Sequence, residues 1–220
     1  YYVASSVLSS VAPHMIDHYI TPLQQRLLKP LAQSLVKLGV QADQITLLGF
    51  FIGLGAVPLL AFGHYYEALA LILLNRFMDG VDGAVARLSI STDRGAFLDI
   101  ALDFMFYALV PLGFAFAEPA NNALAAAVLL TAFVGTGSSF LGFALFAAKR
   151  GIKAEAYANK GIYYLGGLTE GAETIGFFVI ICVWPNWFSV AAYGFAGACY
   201  ITTLMRWFQG WRLLQGHYTR

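Results

Sequence analysis

Charge is scarce in this chain. Asp, Glu, Lys and Arg make up 11% of its 220 residues, while 59% are hydrophobic and the mean hydropathy is positive. A soluble domain carries about twice that charged fraction, so a soluble globular class is excluded. Cysteine is rarer still. Cys182 and Cys199 both lie inside apolar runs without C-x-x-C spacing, which leaves a disulfide or zinc site without support and reads them as small buried hydrophobes. A strong charge of either sign is also missing. The formal net charge of +1 points to no class of partner, and the distribution of the charges carries the information instead. The opening residues are expected to hold no cleavable signal peptide.

What the chain does have is apolar runs of near-membrane length, repeated from end to end, as expected for helices crossing a hydrocarbon layer of ~30 Å. Six spans are predicted, at about 44–62, 66–88, 94–117, 122–148, 168–184 and 187–207. The expected fold is therefore an all-α integral membrane protein of six transmembrane helices. Residues 1–43 would form a juxtamembrane segment, 44–207 the transmembrane catalytic domain, and 208–220 a tail. All thirteen Lys and Arg fall before the first span, in the second and fourth connections, near the inner end of the second span, or after the last. The other connections have none. By the positive-inside rule both termini are cytoplasmic, and Trp184, Trp187, Trp207 and Trp211 sit at the two interfaces. Upstream, Leu23, Leu27, Leu31 and Leu35 recur at four-residue steps, predicting an amphipathic N-terminal helix interrupted at Pro30, lying on the cytoplasmic membrane surface or packed against the bundle. His14 and His18 read as polar residues of that interfacial segment in preference to a metal pair.

Against this background the stretch "NRFMDGVDGAVARLSISTDRGAFLDIALDF" stands out, with five Asp between two apolar runs. Even on a lenient insertion scale each mid-membrane Asp costs ~3 kcal/mol. Asp79 and Asp82 are three apart, and Asp99 and Asp103 four apart, so each pair shares a helix face. With the turn near Ser91, an antiparallel hairpin levels Asp82 with Asp99 and Asp79 with Asp103, roughly 10–18 Å below the turn. Gly83 and Gly95 lie one turn from a carboxylate and leave room for a ligand. Arg87 adds a forked anion donor. Four acids this close need cations, and two divalent ions would leave a site suited to a diphosphate, with hard oxygen ligands favouring Mg²⁺ or Mn²⁺. The plainer alternative is acids merely paired with Arg76, Arg87 and Arg94. Three arginines near a turn do not account for four acids at matched depth.

Written out, the pattern is D79-x-x-D82-G83-x-x-A86-R87-x₇-G95-x-x-x-D99-x-x-x-D103. It resembles the signature of the CDP-alcohol phosphotransferase family, integral membrane enzymes of phospholipid synthesis, and the overall look is of a bacterial inner-membrane member. The resemblance implies that Asp79, Asp82 and Asp99 ligate metals, and that Asp103 is the general base while also touching a metal. It implies that Gly83, Ala86, Arg87 and Gly95 shape the pocket for the cytidine diphosphate part of the donor. The family's upstream Pro-Asn-x-x-Thr, which lies near the nucleotide, is matched here only by Thr46, implied to contact the donor; Ala42 and Asp43 depart from it. The expected donor is CDP-diacylglycerol or another CDP-alcohol. The acceptor is a small hydroxylated molecule or a lipid: glycerol 3-phosphate, inositol phosphate, serine, choline and a second lipid all suit the same core. A homodimer in membrane lipid is expected on the resemblance alone, and no nucleic acid.

Other polar residues are weaker signals. Glu170 and Glu173 share a face at the cytoplasmic end of the fifth span, suited to acceptor hydroxyls, to pairing with Lys160 or Arg150, or to snorkelling at a helix end. "GTGSSF" at 135–140 and the Gly49/Gly53 pair read as helix-packing glycines. Two other functions compete. An intramembrane prenyltransferase would need a second acid motif and more spans. A cation or proton transporter would show internal repeats and broken helices at mid-membrane, and no half-to-half repeat is visible.

Overall fold

The computed structural model describes residues 16–89, 92–150 and 167–215, with the backbone alone for 16–26. His14, Lys153 and Lys160 lie outside the described residues, as does the side chain of His18. The described residues are helical throughout, without a strand. In chain order they form α1 (Ile16–Lys37), α2 (Ala42–Leu54), α3 (Ala56–Ala61), α4 (Tyr65–Leu88), α5 (Asp93–Ala117), α6 (Pro119–Lys149), α7 (Gly171–Val183) and α8 (Phe188–Leu214). A 3₁₀ turn, Pro185–Trp187, precedes α8.

Among the described residues four segments are long and apolar enough to cross a membrane: Ala42–Ala61, Asp93–Ala117, Pro119–Lys149 and Pro185–Leu214. The first is α2 and α3 together, bent at Gly55. Two of the six predicted spans do not meet that standard, for different reasons. α4 is long enough, but its second half carries Arg76, Asp79, Asp82 and Arg87. α7 is apolar but has only 13 residues, about 20 Å of helix against a core of ~30 Å.

α1 corrects the sequence reading at one point. The helix runs unbroken through Pro30. Leu28 and Ala32 are buried against Ile45, Val81, Ala84 and Val85, while Leu27 and Leu31 of the leucine row are 69% and 41% exposed. Packing on α2 and α4 outweighs the local cost of one proline. α1 then stops where Gly39 adopts φ +76° and Val40 N–H reaches back to Leu35 O at 3.1 Å. That left-handed residue closes the helix end.

The main core lies on the far side of the bundle, where α6 packs along α8 and against α5. Phe114 stacks on Phe188 with centroids 4.6 Å apart, and Phe177 on Phe195 at 4.5 Å. The "GTGSSF" glycines serve this packing: a Cβ at Gly137 would meet the Phe104 ring at 2.6 Å, and one at Gly135 would meet Thr203 at 3.0 Å. Cys182 and Cys199 are free and buried here. α2 and α3 pack against both α4 and α5, whereas α4 and α5, consecutive in sequence, barely approach each other backbone to backbone. The space between those two helices is the cleft that holds the acids.

Candidate active site

The second half of α4 and the first half of α5 supply the carboxylates, and α2 forms the third wall. The cleft is lined by Thr46, Gly49, Phe50, Asn75, Arg76, Asp79, Asp82, Asp99, Leu102 and Asp103. Its third wall lies close because α2 carries glycine where it meets the other two helices. A Cβ at Gly49 would meet Met78 Cβ at 2.9 Å, and one at Gly53 would meet the Phe106 ring at 2.7 Å.

Asp79, Asp82 and Asp99 each place one carboxylate oxygen within 4.8 Å of the others. Among the described residues this is the only set of three metal-type donors so close together. Asp82 is buried, with 5% of its surface exposed, and its Oδ2 accepts a hydrogen bond from Thr46 Oγ1 at 2.6 Å. Three anionic oxygens at this spacing fit a hard divalent ion. Ligands at 2.0–2.1 Å from Mg²⁺ stand at most about 4.2 Å apart, so small side-chain rotations close the gap.

Asp103 sits one turn below Asp99 and has a different partner. Its Oδ1 is 2.7 Å from Arg76 Nη2, while Arg76 Nη1 is 3.8 Å from Asp79 Oδ2. The register expected of the hairpin is thus visible, with Asp82 beside Asp99 and with Asp79 and Asp103 sharing one arginine. Gly83, Ala86, Arg87 and Gly95 are not among the residues lining the cleft. They lie nearer the turn, at the end of the same hairpin. Arg87 folds back over Gly83, where a Cβ would lie 3.3 Å from its Nη1, and it lines a second recess with Lys29, Ala84 and Leu88. Gly95 faces α2, since a Cβ there would meet Asp43 Oδ1 at 2.7 Å.

Sequence reasoning missed three contacts. Arg76 was weighed as a partner of the acids, but not as a residue anchored by Asn75 and Tyr107. Asn75 is buried and joins Arg76 to α2, donating from Nδ2 to Gly49 O at 2.8 Å. Asp43 accepts from Arg94 Nε at 3.0 Å and Nη2 at 2.6 Å, tying the starts of α2 and α5 together. Arg94 is thereby directed away from the hairpin acids. Asp93, the fifth acid of the stretch, is the first residue of α5 after the Thr92 cap.

Glu170 and Glu173 serve the backbone. Glu170 precedes α7 and its Oε1 accepts from Gly167 N at 3.1 Å, while Glu173 Oε2 accepts from Glu170 N at 3.0 Å. Together they make a reciprocal capping box at the start of α7. Beside them Thr202 Oγ1 accepts from Leu168 N and Thr169 N at 3.0 and 3.1 Å, so α8 helps to fix the same helix start.

A cleft of four carboxylates between two apolar helices is suited to hard divalent ions, and comparison with known proteins gives the class. The family model for CDP-alcohol phosphatidyltransferase matches residues 40–208, and the chain belongs to that family. It is a transferase of phospholipid synthesis, and the prenyltransferase and transporter readings fall. Over 201 residues it is 52% identical to the inner membrane protein YnjF of Escherichia coli K12, covering 91% of this chain and 98% of that one. It is 36% identical over 96 residues to the phosphatidylinositol phosphate synthase of Streptomyces avermitilis, covering 43% of this chain and 39% of that enzyme. In fold it is similar to the Mycobacterium tuberculosis phosphatidylinositol phosphate synthase PgsA1. With CDP-DAG bound, that structure superposes with a TM-score of 0.66 at 23% identity, covering 84% of this chain and 94% of that one. In complex with manganese and citrate the TM-score is 0.64 at 23% identity, over 84% of this chain and 88% of that one.

Proposed function

We propose that the protein transfers a phosphatidyl group from CDP-diacylglycerol to an alcohol acceptor and releases CMP. The observation that carries this reading is the division of labour in the cleft: three carboxylates share one point in space while the fourth stands a turn away. Asp79, Asp82 and Asp99 would hold the first of two Mg²⁺ or Mn²⁺ ions, and Asp103 would touch the second. Such ions, when bound, neutralise charge on the donor diphosphate and on the leaving CMP. Thr46 holds Asp82 in its ligating orientation. Gly83, Ala86 and Gly95 leave space for the cytidine end of the donor near the turn, and Arg87 offers it a forked donor. Asp103 accepts the proton of the acceptor hydroxyl, whose oxygen attacks the β-phosphorus in line as the bond to CMP breaks. As a metal-touching carboxylate it is a weak base in isolation, and its advantage is position.

The reading extends to topology. Six spans are proposed, with α4 crossing despite its acids because they face the cleft, and α7 crossing with the residues around it. The distribution of Lys and Arg supports cytoplasmic termini and a cytoplasmic active site in a bacterial inner membrane. The proposed catalytic domain is 44–207, and a homodimer is proposed on family grounds. The test is CMP release by purified protein in detergent, with CDP-diacylglycerol, Mn²⁺ and a panel of labelled hydroxylated acceptors. Release that EDTA abolishes and added Mn²⁺ restores is expected, and the acceptor that supports it identifies the alcohol. No release from CDP-diacylglycerol or from soluble CDP-alcohols, with any acceptor, would overturn the proposal.

A further inference from the structure

Among the described residues Arg76 is the one cation lining the acid cleft, and it is held more firmly than a simple charge partner needs to be. Its Nε and Nη2 both donate to Asn75 Oδ1, at 2.8 and 2.6 Å. Nη1 donates to Tyr107 Oη at 3.2 Å. The guanidinium carbon lies 4.6 Å from the Phe106 ring centre and 5.1 Å from that of Tyr107. Asn75, itself 4% exposed, is pinned to Gly49 O on α2. The remaining donor directions reach Asp103 at 2.7 Å and Asp79 at 3.8 Å. A guanidinium has five N–H donors in a rigid fork, and here each edge has a partner. It cannot swing away without stranding buried polar groups.

From this geometry we infer that Arg76 is a fixed counter-cation that makes metal loading sequential, an inference that rests on the metal-dependent reading above. It divides the four acids into a three-carboxylate seat, open to an ion in the bare protein, and a guarded Asp103. A second cation at Asp103 has to sit beside the guanidinium charge. It is admitted only when the donor's diphosphate brings its own negative charge to the cleft. Arg76 thereby keeps Asp103 oriented and prevents two ions from filling the cleft before the donor arrives. Its place is that of a positioning residue for the base.

The test counts bound Mn²⁺ by electron paramagnetic resonance on the purified full chain in detergent, without turnover. The wild type is expected to bind one ion per chain alone or with CMP, and two with CDP-diacylglycerol. Without donor, the second ion should bind at least tenfold more weakly than the first. Arg76→Gln should bind two ions without donor, with the second strengthened about tenfold or more. Arg76→Lys, which keeps the charge, should restore the one-ion pattern, and a purely structural role would not predict that rescue. Tyr107→Phe keeps the ring and loses one anchor, so it should shift the second ion the same way by a smaller factor. That variant keeps the proposal testable if Arg76→Gln does not fold. Two equal ions on the wild type without donor would overturn the sequential scheme alone, as would a folded Arg76→Gln protein with unchanged binding. No Mn²⁺ on any form would overturn the metal reading itself, and the inference with it.

Discussion

Two acid pairs in this molecule have the same spacing and opposite uses. Asp79 and Asp82 are three apart on α4; Glu170 and Glu173 are three apart at the start of α7. The difference lies in where each pair falls on its helix. At a helix start the first four amide groups have no carbonyl partner within the helix. Glu170 and Glu173 accept from just such amides, each from the backbone N–H of the other. In the second half of α4 the backbone amides already serve the helix ladder. The carboxylates there turn to side chains: a threonine from α2, an arginine, and the facing acids of α5. An acid pair in an apolar helix is therefore a candidate site when the backbone cannot satisfy it, and a structural cap when it can.

That contrast is open to attack in order of expected effect. Asp99→Asn should abolish Mn²⁺ retention and lower kcat about 10³-fold or more, since the charge stabilisation lost is several kcal/mol at ~1.4 kcal/mol per decade. Equilibrium dialysis against Mn²⁺ beside an assay of CMP release reads both. For Asp103→Asn a fall in kcat of about 10²–10⁴-fold is expected with donor binding retained, the range for loss of a positioned general base. Full activity in that variant would remove Asp103 from the mechanism. Thr46→Val deletes the hydroxyl that orients Asp82, and the resulting loss in metal affinity should be about 10–100-fold, as for other residues that steady a metal ligand. An unchanged Mn²⁺ titration curve would show the Thr46–Asp82 contact to be incidental. The smallest effect belongs to the other pair. Glu173→Ala should cost about 1 kcal/mol of stability through the lost cap and leave kcat near that of the wild type. Thermal unfolding in detergent measures the first; a large drop in kcat at normal stability would mean that the cap is also part of the site.

Much of the site was legible beforehand because it rests on constants. Helix rise and twist put Asp79 with Asp82, and Asp99 with Asp103, on common faces whatever surrounds them. A hairpin with a short turn then sets their depths. The apolar runs likewise fixed the membrane class, because composition alone excludes a soluble core. The errors fell where the answer depended on neighbours. Neighbours also decided the packing face of α1: the Leu23-Leu27-Leu31-Leu35 row suited a membrane surface or the bundle, and Leu28 and Ala32 are the residues that meet α2 and α4. α1 has apolar residues on more than one face, and the shape of its partner chose between them. Pro30 has a local cost that packing overrides. Arg76 was countable as a partner for the acids, but its anchoring by Asn75 and Tyr107 was not.

The sequence by itself determined the chemistry on offer: four carboxylates on two adjoining helix faces, glycines one turn away, and an apolar setting in which such acids need cations. Repeating backbone geometry carries that information without help from the rest of the chain. Only the tertiary structure decided how the acids are shared. α2 keeps α4 and α5 apart, so that Asp79, Asp82 and Asp99 face one point and Asp103 faces Arg76. Whether Glu170 and Glu173 were site or scaffold was decided the same way, by α7 beginning where it does with α8 beside it. These outcomes depend on which side chains from distant helices fill the same space, and local periodicity does not contain that.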